Sequence, residues 1–410
     1  MSNFLEPITV AIDVGTTKIC VLVARQRGDG GLEIIGVGRS PSHGLKKGVV
    51  VDINQTVESI KTAVHEAELL SGYAIESAVI GISGGHIRSL NSHGAVPIKR
   101  NEVKETDIEN VLEAAKAVAI PEGQQILHVL PQYFSIDNQE RVLNPLGMAG
   151  VRLEAQVHII TGSMSSAHNL VTCCQMAGVK VTDMVLEQLA SAQAVLSNDE
   201  RELGVGVLDI GGGTSDFAIY QQGSIRHTMV LPIAGNHFTN DLAIGLQTTL
   251  AEAERVKLQN GLVSTRTASI DQLITVKKIN SDELISVHQA EIAHILQFRA
   301  RELLTLIRRE VDQYHLRPVM TTGLVLTGGG SLLSGMQPLA TEILGMPIRL
   351  GVPKTGHILP ESLDNPIYAT GYGLLLHTIA DKKGMRFDFE GNASMARVLL
   401  RMKLWISDFF

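Results

Sequence analysis

Residues suited to holding a phosphate occur twice in this chain. Ile12-Asp13-Val14-Gly15-Thr16-Thr17-Lys18 and Leu208-Asp209-Ile210-Gly211-Gly212-Gly213-Thr214-Ser215-Asp216 each run from an apolar strand into an Asp, then a turn of glycine and hydroxyl residues, then a second β-rich run. Glycines let backbone N–H groups approach a phosphate without a Cβ in the way, and threonine hydroxyls add donors. A carboxylate at the strand end cannot face a polyphosphate directly, but it can hold the waters of a bound Mg²⁺, a role open to Asp13 and Asp209. Two such hairpins facing each other would clamp one nucleotide, with Gly15, Thr16, Thr17 and Lys18 on one side and Gly211, Gly212, Gly213 and Thr214 on the other.

A third element follows at Leu324-Val325-Leu326-Thr327-Gly328-Gly329-Gly330-Ser331, a buried-strand pattern ending in a glycine triplet, with Leu332, Leu333 and Met336 opening a predicted helix. A flat adenine could lie against the bare backbone of Gly328, Gly329 and Gly330. A single glycine triplet is more often a plain turn, but three glycine turns in this order, each leaving an apolar strand, argue against that reading. The order resembles the actin, Hsp70 and sugar-kinase superfamily. That resemblance implies an α/β chain with an actin-like ATPase fold, two homologous α/β halves around a nucleotide cleft, and ATP with Mg²⁺ as cofactors. It also implies that Glu254 and Lys257, three apart on one helix face, reach the ribose, although such a pair taken alone is a solvated salt bridge. Gly235-Asn236, in the turn after the strand at 228–233, is a further candidate backbone contact. For hydrolysis, Glu187 sits where relatives place the acid or amide that positions the attacking water. Gln188 competes for that role, and a plain helix N-terminal charge is the third reading. Hydrolysis, if any, is expected to be slow.

The gross numbers fit a large globular protein: 410 residues, 44% hydrophobic and 19% charged, enough for a full core and two or more domains. A formal charge of −7 without a basic block argues against a nucleic-acid partner. Three cysteines, two of them the adjacent Cys173 and Cys174, suggest no disulfide framework and a reducing cytoplasm. The segment Met1–Pro7 lacks the pattern of a signal peptide, and no apolar run reaches transmembrane length.

The elements that must position these residues can be read from periodicity. Residues 8–80 alternate strands with one helix, an Asp52-capped stretch to Leu70 with Ile53, Val57, Ile60, Val64 and Ala67 on one face, before the strand Ala78–Ile82. Thr106-Asp-Ile-Glu109 reads as a capping box opening a second helix. Strand patterns at Ile126–Ile136 and over 151–159 complete an inserted α/β module at 85–161. Helices at 166–177 and 187–196 return to the first domain. The expected division is therefore 1–84 with 162–203 (and 363–380 returning) as the first actin-like domain; 85–161 as the insert; 204–237 with 317–362 as the second phosphate and adenosine subdomain; 238–316 as a mostly helical subdomain; 381–393 as a linker; and 394–410 as an amphipathic helix. Other motifs carry less. Gly81-Ile-Ser83-Gly-Gly85 fits a hydrolase nucleophile elbow, but the chain continues as an extended crossing instead of a helix. Lys46 and Lys47 read as solvated charges, the fourteen histidines form no metal spacing, and neither a P-loop nor a dinucleotide G-x-G-x-x-G occurs.

In the last segment Val398, Leu399, Met402, Trp405, Ile406, Phe409 and Phe410 sweep one arc at 100° per residue, with Arg397 and Arg401 opposite. The single Trp of the chain and two terminal phenylalanines beside basic residues suit a helix lying in a lipid headgroup layer, the alternative being a terminal helix docked on its own core. Taken with the hairpin Ala11–Ile19, the run Gly44–Ile53, the insert at 85–161, the hairpin Val207–Ile219 and the loop Val325–Gly335, this tail makes the whole chain resemble the FtsA family of bacterial actin-like division proteins. The resemblance implies ATP-linked self-assembly into filaments, attachment to lipid on the cytoplasmic side of the inner membrane at the division site, contact with the tubulin-like FtsZ through 238–316, and recruitment of later division membrane proteins. A PilM-like pilus-assembly actin homologue or a sugar kinase of the superfamily, with Asp209 or a nearby acid as base, are the competing readings.

Overall fold

The computed structural model describes residues 7–27, 31–264, 272–279, 283–353 and 363–382. Its first half begins with an antiparallel meander, β1 (Ile8–Val14), β2 (Lys18–Gln26) and β3 (Leu32–Pro41). A two-rung ribbon, β4 (Leu45–Lys46) and β5 (Val49–Val50), leads into α1 (Ile53–Ser71). Asp52 caps α1 by accepting from Gln55 N, and Gly72 ends it in the left-handed conformation. The face carrying Val57, Ile60, Val64 and Ala67 is buried over the sheet with Ile12, Val21 and Val23. β6 (Ser77–Ile82) then pairs in parallel with β1.

Here the chain leaves the sheet to build the inserted module from β7 (Arg88–Pro97), α2 (Glu105–Lys116), β8 (Gln124–Ile136), β9 (Gln139–Val142) and β10 (Arg152–Ser163). These strands form an antiparallel sheet in the order β7-β10-β8-β9, and Val111, Leu112 and Ala115 of α2 pack on Phe134, Leu153 and Val157. The helix begins earlier than the Thr106 box implies: Lys104 is its N-cap, and the Asp107 carboxylate accepts from Lys104 N at 3.0 Å. An acid at the third helical position can reach back to the cap amide whatever residue the cap is, so Asp107 sets the boundary. The outer strands β7 and β9 are additions to the two strand patterns read in the sequence.

α3 (Met164–Met176) returns to the first half, β11 (Lys180–Leu186) pairs in parallel with β6, and α4 (Glu187–Val195) and the short α5 (Asn198–Leu203) follow. The second half repeats the scheme with a meander β12 (Val205–Ile210), β13 (Ser215–Gln221) and β14 (Ser224–Leu231). After α6 (Gly235–Gly245) and α7 (Leu250–Asn260), a hairpin of β15 (Leu273–Lys277) and β16 (Leu284–His288) precedes the long α8 (Gln289–Gln313). β17 (Leu324–Thr327) pairs in parallel with β12; α9 (Met336–Leu344), β18 (Ile348–Leu350) and α10 (Ala369–Lys382) complete the half. That small hairpin interrupts the helical 238–316 region, its alternating Ile274, Val276 and Val287 buried against α8.

The two central sheets have the same plan, β3-β2-β1-β6-β11 and β14-β13-β12-β17-β18, each three antiparallel strands followed by two parallel ones. This is an actin-like fold of two homologous halves with an inserted module, as the sequence implies. The helices closing the halves are exchanged. α4, which follows the first sheet, packs against β12, β13 and β17 of the second as well as β11 and β6 of its own; α10, which follows the second, packs against β1, β2 and β6; and the two helices cross each other. α4 thereby carries Ser191 from the first half to Asp209 of the second. The predicted 394–410 helix, with Arg397, Val398, Arg401, Met402, Trp405, Ile406 and Phe409, lies outside the described residues.

Candidate functional site

In both halves the tight turn of the first strand pair reaches the space between the sheets. The β1–β2 turn contributes Asp13, Gly15, Thr16, Thr17 and Lys18; the β12–β13 turn contributes Asp209, Gly211, Gly212, Gly213 and Thr214. These residues line one cavity of about 560 Å³, within the roughly 300–1,000 Å³ usual for small-molecule sites. Gly235, Asn236, Glu254, Lys257, Gly328, Gly329, Gly330 and Glu187 line it too, whereas Gln188 is not among the lining residues. The two turns face each other closely: a Cβ on Gly212 would stand 2.3 Å from Thr17 Cγ2, and one on Gly213 would stand 2.3 Å from Thr16 Oγ1. Only glycine permits that approach. Thr16 Oγ1 in turn accepts from Gly48 N at 3.0 Å.

Five carboxyls line this cavity, Asp13, Glu187, Asp209, Asp216 and Glu254. Asp13 lies 3.4 Å from Lys18 Nζ, which also donates to Ile367 O at 2.7 Å. Burial works against the charge on Lys18, but Asp13 beside it, together with Cys20 and Tyr368, more than offsets this, so the ammonium is held above its ordinary value. Asp209 accepts through one oxygen from both Ser191 Oγ and Thr370 Oγ1. Asp216 stands directly across the ladder from Asp209 and accepts from Ser83 Oγ. Burial is the main force pushing both upward, Asp216 to about 7, while their hydroxyl donors pull the other way. Glu187, at the first turn of α4, is pushed well up by burial and then by Asp13, Asp216 and Asp209. The cavity thus gathers five acids against Lys18 and Lys257, a set that a bound cation would hold in the ionised form.

Some partners differ from the reading of isolated motifs. Gly235 and Asn236 open α6; they are not in a turn, and their N–H groups donate to Gly211 O and Gly212 O at 3.0 and 2.8 Å, so this backbone braces the second hairpin. A turn-rich Gly-Asn pair and the first turn of a helix look alike without the helical face that follows. Lys257 Nζ pairs with Glu254 at 2.7 Å and donates to Thr239 Oγ1 and Gly235 O, tying α7 to α6 at the cavity wall. Past Gly328, which has φ 77°, the chain forms a 3-10 turn over Gly329–Leu332, and the helix starts only at Met336. Asp216, Ser83, Ser191 and Thr370 were absent from the sequence-predicted set. Asp216 had a signal, since strand alternation puts it on the face of Asp209; Ser191 sits one turn after Glu187; Ser83 and Thr370 are brought in by tertiary packing alone. No group of three Asp, Glu, His or Cys side chains among the described residues is arranged to ligate a metal directly.

Residues 84–161 match the family model described as the SHS2 domain inserted in FTSA, and 206–373 match the one described as cell division protein FtsA. The chain is 45% identical to the cell division protein FtsA of Pseudomonas aeruginosa over 407 residues, covering 98% of both chains. This chain belongs to the FtsA family of cell division proteins. Identity to the Escherichia coli K12 protein is 37%, covering 90% of this chain and 89% of that one, and to the Bacillus subtilis protein 38%, covering 89% and 82%. Among solved structures, the fold is similar to that in the PilM-PilN type IV pilus biogenesis complex (TM-score 0.65, 18% identity, 90% of this chain and 98% of that one). It is also similar to MreB5 of Spiroplasma citri bound to ADP (TM-score 0.57, 15% identity, 92% and 97%). The first family match covers the antiparallel module, and the second spans the second hairpin, the glycine loop and Thr370. Among the described residues, no helix is long and apolar enough to cross a membrane.

Proposed function

We propose that this family member binds ATP with Mg²⁺ in the cleft and, through ATP-linked assembly at the division site, tethers FtsZ to the cytoplasmic face of the inner membrane while recruiting later division proteins. The observation that carries the nucleotide reading is the cavity itself, where two glycine–threonine turns from duplicated halves face each other beside a bare glycine loop. The turns supply phosphate donors, Gly328–Gly330 a surface for adenine, and the Glu254–Lys257 pair the ribose side. The same fold in MreB5 of Spiroplasma citri bound to ADP and to AMPPNP supports it. The carboxyl set fits a Mg²⁺ held through water: five acids share one cavity, three of them with raised pKa, without direct-ligand geometry among the described residues. When bound, the cation would neutralise phosphate charge. Asp13 and Asp209 hold its waters, Lys18 faces the phosphates, and Glu187 orients the attacking water.

The FtsZ and membrane roles rest on family membership and on the 394–410 sequence pattern. One tail binds weakly, since an isolated four-turn helix is marginal in water, whereas many tails on a filament act together. Family membership also sets aside the pilus and kinase readings. Trp405→Glu places a charge in the apolar arc and should leave the full-length protein in the supernatant when anionic vesicles are sedimented with ATP, with ATP binding unchanged. Co-sedimentation of that variant at the wild-type level would defeat the anchor assignment.

A further inference from the structure

Two hydroxyls from different halves of the molecule converge on one carboxylate oxygen beside the cavity. Ser191 Oγ of α4 and Thr370 Oγ1 of α10 both bond to Asp209 Oδ2, and they lie 3.1 Å from each other. All three groups are buried, Ser191 completely. On the other side of the carboxylate, Oδ1 faces the glycine loop, where a Cβ on Gly328 would come within 2.1 Å of it. We infer that Ser191 and Thr370 are positioning residues that fix the rotation of the Asp209 carboxylate so that it meets the waters of the bound cation; this rests on the Mg²⁺–nucleotide reading above.

A hydroxyl has one proton, which makes this arrangement more than generic satisfaction of a buried acid. Ser191 Oγ also lies 2.9 Å from Glu187 O, one turn back in α4. Two proton arrangements therefore fit the same atoms. In one, both hydroxyls donate to Asp209. In the other, Thr370 donates to Ser191 and Ser191 donates to Glu187 O, leaving Asp209 Oδ2 without either. An ionised Asp209 selects the first, because hydrogen bonds to a charged acceptor are roughly twice as strong as neutral ones. The first arrangement also ties both hairpins to the start of α10, for Ile367 O, three residues before Thr370, accepts from Lys18 of the first hairpin at 2.7 Å. Each hairpin thus grips the same short stretch, and removing either hydroxyl frees Asp209 to rotate without removing its charge.

The test compares ATP dissociation constants of the full chain in Mg²⁺ and in EDTA for wild type, Ser191→Ala, Thr370→Val and the hydroxyl-retaining Thr370→Ser, with thermal melting as the control for folding. The expected result is that the Mg²⁺-dependent gain in affinity falls by about tenfold in each hydroxyl-less variant, the scale of one hydrogen bond to a charged group. The EDTA affinity stays near wild type, and Thr370→Ser keeps the gain. In an Asp209→Asn background, Thr370→Val should produce no further change in that ratio, because its effect passes through Asp209. Should Ser191→Ala fail to fold, Thr370→Val decides alone, having nearly the shape of the native side chain. A wild-type Mg²⁺ gain in Thr370→Val overturns the inference while leaving the nucleotide reading intact, and so does an equal loss in the Asp209→Asn background. If the wild type binds no ATP, the nucleotide reading and the inference fall together.

Discussion

Gly373→Ala tests how the halves are joined. Gly373 sits in α10 where it crosses α4, and a Cβ there would lie 1.8 Å from Ala190 O, 2.3 Å from Ala190 C and 2.9 Å from Ala190 Cα. These are helix backbone atoms and cannot rotate aside, so the helices would have to part by roughly 1.5 Å to restore ordinary contact. Overpacking of this kind costs about 1–3 kcal/mol. Helix propensity alone predicts the opposite sign, a gain of about 1 kcal/mol for Gly to Ala. Separation would also move Ser191 and Thr370 apart, since they come from these two helices and share Asp209. Gly371→Ala, two residues earlier, is the internal control: its nearest neighbour would be the flexible tip Leu22 Cδ1 at 3.2 Å, so it should be near neutral or slightly stabilising. Thermal melting of the three proteins, with the Mg²⁺-ATP dissociation constant of each, is the assay. The expected outcome is a Tm lower by roughly 1–4 °C and weaker nucleotide binding for Gly373→Ala only. A Gly373→Ala protein that melts at or above wild type would refute the crossing geometry.

Asp216 contributes to the pH dependence of stability, in the same direction as the raised Glu187 and Asp209. Its native pKa of about 7 lies above the ordinary aspartate value, so between about pH 4 and pH 7 the folded chain holds a proton that the unfolded chain has lost. Stability from this site is full at the acid end and declines as pH rises to 7; Asp216→Asn should flatten that slope in melts from pH 5 to 8, and an unchanged slope would remove Asp216 from the titration. His158 joins the inserted module to the second half, with Nδ1 on Asn91 Oδ1 at 2.7 Å and Nε2 on Thr228 Oγ1 at 2.9 Å. His158→Ala should cost about 1–3 kcal/mol by leaving buried partners unpaired, whereas His93→Ala, removing an exposed pair with Glu154, should leave the melting temperature within about a degree.

The cavity was legible because its key residues are local. An Asp, a glycine turn and a hydroxyl at fixed spacing can be recognised within a few residues, and the topology then only has to bring two copies face to face. The duplicated sheets followed from the same signal. Asp216 could have been included on strand parity alone, since Asp209 and Asp216 are ladder partners. Ser83 and Thr370 could not, because nothing local links residue 83 to 216 or 370 to 209; those bonds exist only once the two halves pack together and α10 folds back to the cavity. The start of α2 was misplaced because a Thr-led box is a stronger pattern than a Lys cap, although Asp107 supplies the deciding bond from inside the helix. Strands β7 and β9 were missed for a related reason. β9 is short, and β7 alternates polar and half-buried side chains because part of its surface meets Thr228 through Ser89 instead of apolar groups.

The central claim is that the facing turns of the two halves bind Mg²⁺-ATP, and isothermal titration of ATP into the full-length chain tests it most directly. The wild type should bind one ATP per chain with higher affinity in Mg²⁺ than in EDTA. Asp13→Ala and Asp209→Ala should each lose most of the Mg²⁺-dependent part while melting cooperatively. Unchanged ATP affinity in both variants, or no ATP binding by the wild type, would contradict the account.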